Sequence, residues 1–105
     1  YLDAREQAVK AVDEYMEGKE EPMYCGFANV SIHPARGKLV SFLKKAGIGD
    51  KGYGGGYRIS YYDIMPKDHP YSHTQSMSIR EEACEAFRDE LRKYGLTVYA
   101  ESRAD

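Results

Sequence analysis

The sequence predicts an α+β domain of the ferredoxin-like kind, a βαββαβ antiparallel sheet with two helices on one face, preceded by an extra N-terminal helix. Three observations predict it. Apolar residues recur at helical spacing in three segments and alternate in the segments between them. Gly or Pro stands at most of the boundaries. A chain of 105 residues suits one domain, with a thin core that hides roughly 60–70% of the unfolded surface. Residues 1–105 therefore read as one unit, with the N-terminal helix in 1–18 and the βαββαβ core in 23–101.

Each element has its own signal. In residues 2–17, Leu2, Ala8, Val9, Val12, Tyr15 and Met16 recur as one helical stripe, and Gly18 can end it. Residues 17–22 are a polar linker. Residues 23–33 read as a strand in which Cys25 and Phe27 alternate in one phase and Ala28, Val30 and Ile32 in the other. That slip suggests a bulge or a strand buried on both faces. Pro34 stops it, and residues 35–46 form the next helix, with Leu39, Val40, Leu43 and Ala46 inward and Gly47 as C-cap. Residues 47–56 are loop. Residues 57–62 alternate as the second strand, and 73–77 can supply a short third one. Ser78-Ile79-Arg80-Glu81 has the form of a capping box opening a helix over 79–94, striped by Ala83, Phe87, Leu91 and Tyr94. Gly95 stops it. Residues 96–100 are the last strand and 101–105 a polar tail. The second sheet face would be covered by the N-terminal helix or by a partner, because a small domain rarely leaves an aromatic face bare.

Charge and composition exclude some classes. The net charge of −2 counts against strong nonspecific binding to nucleic acid. The charge is nevertheless divided. Arg36, Lys38, Lys44, Lys45, Lys51 and Arg58 make a basic middle, whereas acids crowd 13–21 and 81–90. No apolar run reaches the ~20 residues of a membrane span, and no secretory signal pattern is read. Cys25 and Cys84 form no CxxC pair, so both are expected as buried thiols in a reducing compartment, the cytoplasm.

The densest feature is the run 50–63. It carries Gly52, Gly54, Gly55 and Gly56, then Tyr53, Tyr57, Tyr61 and Tyr62, with Lys51 and Arg58 among them. Such a loop lets backbone approach a ligand closely, and Tyr rings suit something planar and polar. Lys51-Gly52-Tyr53-Gly54 followed by Tyr57-Arg58-Ile59-Ser60-Tyr61 resembles the RNP1 signature of RNA-recognition modules. Two extra Gly break its register, and the motif sits ahead of the predicted second strand rather than on the third. The plain alternative is a hairpin entry with Tyr packed on the sheet. Arg36, at the handover from strand to helix, could meet an anion. So could the turn 74–78 containing Gln75. Caps and surface salt bridges are the ordinary alternatives there and at Asn29, Arg80, Ser102 and Arg103.

Catalytic and metal patterns are thin. His33, His69 and His73 lack zinc spacings, and Pro70 denies His69 and His73 a shared helix face. Cys25 and His33 share a strand face, but roughly 26 Å apart at the strand rise. Asp63, Asp68, Glu81 and Glu82 supply carboxylates that nothing pairs. No cofactor is implied, and a small metal-dependent hydrolase or nuclease remains as an alternative reading.

The segments Cys25-Gly26-Phe27-Ala28-Asn29-Val30, Pro34-Ala35-Arg36-Gly37-Lys38, Gly55-Gly56-Tyr57, Gln75-Ser76-Met77 and Ser102-Arg103 with Asp105 resemble a set of small accessory proteins of tailed bacteriophages, over residues 24–105. The resemblance implies a viral origin and action inside a bacterial cell. Small proteins of that kind often inhibit or sequester host components, which favours binding over catalysis. The expected function is non-enzymatic binding of a nucleotide-type small molecule or a host protein. Arg36, Lys51, Arg58 and Arg80 would meet phosphates, Tyr53 or Tyr57 would stack on the base, and Gln75 would lie beside them. A nucleic-acid-binding module using the same Tyr/Arg face is the alternative, and a homo-oligomer is compatible with an open sheet edge.

Overall fold

A computed structural model describes residues 1–21, 24–52 and 55–104. Its elements are α1 (Leu2–Met16), β1 (Gly26–His33), α2 (Lys38–Ala46), β2 (Asp50–Lys51), β3 (Tyr57–Ser60), α3 (Tyr61–Ile64), α4 (Met77–Arg92) and β4 (Thr97–Ala104). The four strands form one sheet in the order β2-β3-β1-β4, with every pairing antiparallel.

β1 explains the layers. Its pairing with β4 runs without interruption from Gly26↔Ala104 to His33↔Thr97, so the expected bulge is absent from this ladder. Ala28, Val30 and Ile32 point into the core, together with Tyr57 and Ile59 of β3 and Val98 of β4. Phe27, Asn29, Ser31 and His33 point the other way. The apparent phase slip in the sequence is simply an apolar Phe27 on the polar side. α4 packs on the inner face against β1 and β4 through Ile79, Ala83 and Phe87. α1 lies against α4, burying Ala4, Ala8, Val12 and Met16. Its Tyr1 ring meets Phe87 edge-on at 6.0 Å and Phe42 of α2 at 6.4 Å. The N-terminal helix therefore thickens the helical side and does not cover the second sheet face.

Several boundaries differ from the sequence reading for physical reasons. β1 begins at Gly26, and residue 23 lies outside the described residues. α2 begins at Lys38 rather than 35, because Gly37 sits at φ 115°, outside helical space. The expected loop 47–56 holds β2, whose two residues pair Asp50 with Arg58 and Lys51 with Tyr57. The segment 57–62 is thus the third strand, not the second, and it ends at Ser60. From Tyr61 the chain turns helical because Tyr61 and Ile64, one turn apart, both bury. The Ser60 hydroxyl supports that turn by donating to the Asp63 carboxylate at 3.3 Å. Residues 73–77 form no strand but one isolated bridge, Cys25↔Ser76. α4 starts two residues early at Met77, so Ser78 lies inside the helix and the capping box is not used. The Glu81 carboxylate instead accepts the Ser102 hydroxyl at 2.7 Å. The tail expected at 101–105 is strand through Ala104. Cys84 is buried, but Cys25 is exposed, contrary to expectation.

Candidate ligand-binding groove

The outward face of the sheet holds a groove of about 680 Å³, whose walls include Phe27, Asn29, Arg58, Tyr62, Arg80 and Arg103. The start of α4 bounds it on one side through Arg80. The bridge at Cys25 and Ser76, with Gly26 N–H donating to Gln75 O at 3.1 Å and Met77 N–H to Tyr24 O at 2.9 Å, fastens the helix start to β1. The strand must pass very close. A Cβ on Gly26 would lie 2.6 Å from Met77 Sδ and 2.8 Å from the Arg103 carbonyl oxygen. Only glycine permits that approach.

Arg80, in the first turn of α4, is 3% exposed. Its Nε donates to Thr74 O at 3.0 Å, and one terminal nitrogen donates to Gly26 O at 3.1 Å. The other donates to the Tyr62 hydroxyl at 2.8 Å. The guanidinium carbon also lies 5.1 Å from the Tyr62 ring centre, 5.5 Å from Tyr61 and 5.7 Å from Phe27. These contacts hold the plane in place. Arg103, paired across the ladder with Phe27, puts a second guanidinium 5.5 Å from that ring.

The charges are unequally matched. Arg58 binds both carboxylate oxygens of Asp50 at 3.2 Å. Among the described residues, neither Arg80 nor Arg103 forms an ion pair. The first turn of α4 contains no acidic residue, so the positive end of the helix dipole adds to Arg80. A buried guanidinium satisfied only by neutral oxygens still attracts an anion. Beneath it, burial pushes the Tyr61 hydroxyl upward, the Arg80 charge opposing this less strongly. Tyr61 therefore stays protonated and donates to Tyr71 O at 2.6 Å.

The residues expected at a site are scattered. Arg58 and Arg80 line the groove. Tyr57 faces the core at 2% exposure, its hydroxyl donating to Ile48 O. Its ring is closed to a base, which corrects the stacking role expected for it. Lys51 is exposed on the short edge strand, and Arg36 is exposed ahead of α2, both off the groove walls. Gln75 is exposed and meets Cys25 at 4.0 Å. Tyr53 lies outside the described residues. Tyr62 belonged to the Tyr-rich run singled out in the sequence, whereas Phe27 was not among the candidate ligand contacts. The signal for Phe27 was its place in the alternation Phe27, Asn29, Ser31, His33, one apolar ring in a polar series.

The same face carries a Ser–His pair that the sequence reading passed over for Cys25 and His33. Ser31 Oγ lies 2.8 Å from His33 Nε2. Ser31 is only 6% exposed, and the Gly56 backbone presses on it so closely that a Cβ there would sit 2.4 Å from the hydroxyl. The hydroxyl is thus largely enclosed, with Ser31 contributing to the groove wall. His69 stands elsewhere, its Nε2 2.8 Å from Asp13 of α1 and its Nδ1 accepting the Tyr71 N–H at 3.1 Å. Among the described residues, no group of three His, Cys, Asp or Glu is placed to hold a metal ion. No helix of the described residues is long and apolar enough to cross a membrane. Compared with protein families, curated proteins and solved structures, the chain matches none.

Proposed function

We propose that this chain is a non-enzymatic binding protein whose groove takes an anionic, nucleotide-type small molecule. The phosphate meets Arg80 and Arg103, and the planar part lies against Phe27 and Tyr62. The observation that carries this reading is Arg80: a nearly buried guanidinium, without a carboxylate partner among the described residues, at a helix N-terminus beside a half-exposed aromatic ring. Asn29 and Ser60 add polar groups along the same wall for the edge of a base. The strand order and the all-antiparallel pairing support reading the fold as ferredoxin-like, with the extra helix α1 and the short α3 as additions. Origin as a phage accessory protein that sequesters a host component belongs to the same proposal and rests on the sequence pattern.

Calorimetry with nucleoside monophosphates and their parent nucleosides tests the groove. Loss of the phosphate should weaken binding at least tenfold, as should Arg103→Ala, since a charged hydrogen bond contributes about 1.5–3 kcal/mol. Equal affinity for nucleotide and nucleoside, or an indifferent Arg103→Ala protein, would overturn the assignment.

A further inference from the structure

The groove runs along β1 as far as Ser31, and Tyr99 of β4 lies outside its walls. Tyr99 is half-exposed and meets His33 edge-on at 5.4 Å. Tyr99 pairs with Ser31, and Arg103 with Phe27, so both rings project from the same side of one ladder. Four residues of strand separate the rows, about 13 Å at the strand rise. Between them lie Asn29, Ser60 and Glu101, the Asn29 amide donating to Glu101 at 3.2 Å, while Arg58 stands in the Tyr99 row, paired with Ser31. The surface thus offers two aromatic platforms joined by a polar floor.

We infer that the open face binds a short single strand of nucleic acid, one base on Phe27 and another on Tyr99 and His33, with a backbone phosphate at Arg80 and Arg103. This rests on the groove reading above and extends it. A single strand is required because the platforms stack only unpaired bases. Bases held on the platforms are unstacked from one another, so the strand runs longer than the about 3.4 Å per nucleotide of a duplex, and four nucleotides suffice to reach from one platform to the other. Three guanidiniums line the groove, but Asp50, Asp63 and Glu101 line it too. Stacking therefore supplies most of the affinity. With one phosphate held by Arg80 and Arg103, the logarithm of the affinity should fall with the logarithm of salt at a slope of about −0.7, far shallower than for a basic nucleic-acid binder.

The test is fluorescence anisotropy with labelled oligothymidylates of two, four and eight nucleotides, beside calorimetry with thymidine monophosphate. Affinity should rise steeply from two to four nucleotides and then level off. Tyr99→Ala should weaken the four-nucleotide probe roughly tenfold and leave thymidine monophosphate unchanged. A duplex of equal length should not compete. If thymidine monophosphate binds while the longer probes bind no better, or Tyr99→Ala changes nothing, the extended site is wrong and the groove stands. If neither probe binds, both readings fall, and a protein becomes the occupant to seek.

Discussion

Replacing Arg80 by Met keeps the apolar stem and removes the guanidinium. Two opposing effects follow. The carbonyls of Thr74 and Gly26 lose their Arg80 donors in a buried setting, and each such loss costs about 1–3 kcal/mol. The Tyr62 hydroxyl also loses a partner, but Tyr62 is 53% exposed and water replaces the contact. Against this, a buried charge with no ion-pair partner among the described residues is gone, and its desolvation had cost several kcal/mol before compensation by those same bonds. The three hydrogen bonds already offset part of that cost, so the relief is partial. The net expectation is a loss of about 2–3 kcal/mol, or roughly 10 °C in melting temperature for a domain of this size. Urea denaturation measures it, provided the slope stays constant so that the midpoint shift reports stability alone. Arg80→Lys should fall between parent and Met, since an ammonium keeps the charge but cannot span three acceptors. An Arg80→Met protein as stable as the parent would refute the reasoning. It would mean that desolvation outweighs the three bonds and that the fold does not need Arg80.

Two further outcomes are expected. Burial pushes the Cys84 thiol up to about 12 from an ordinary 9.0, whereas Cys25 is exposed. At pH 8 a thiol reagent should titrate one cysteine in the native protein and two after denaturation. Because the folded state holds the Cys84 proton more tightly, its contribution to stability is complete below about pH 9 and is lost as pH rises toward 12. Urea midpoints across that interval should drop more for the parent than for Cys84→Ala, and an equal drop would contradict the assignment. Gly26→Ala drives a methyl against Met77 and the Arg103 carbonyl. Met77 can move but the carbonyl cannot, so a loss of about 1–3 kcal/mol is expected, with faster hydrogen exchange at the start of α4.

Much of the helical architecture was legible because a helix stripe is local. The apolar spacing in 2–17 and 35–46 located α1 and α2 to within a few residues, and Gly47 ends α2 at φ 74° as expected. Strand identity was less legible. β2 is two exposed residues with no alternation to read, and it exists because Asp50 and Lys51 find β3. β3 and α3 share one unbroken Tyr-rich run, and the switch from period two to a helical turn became visible only through what buries. The Gly/Tyr run drew attention for its composition, yet Tyr57 and Tyr61 serve the core. The stronger site signal was a single Phe27 in a polar series.

The sequence alone determined the α+β class, the amphipathic helices and the presence of Arg58 and Arg80 as candidate anion contacts. These follow from periodicity and residue chemistry, which act within a few residues. Tertiary structure decided which strand lies at the centre, that α1 joins the helical side, and that Arg80 is buried beneath Phe27 and Tyr62 while Tyr57 is closed off. Those outcomes depend on pairings such as Gly26 with Ala104 and Gly26 O with Arg80. Their partners are more than fifty residues apart in sequence, and no local pattern encodes which distant group a strand or a guanidinium will meet.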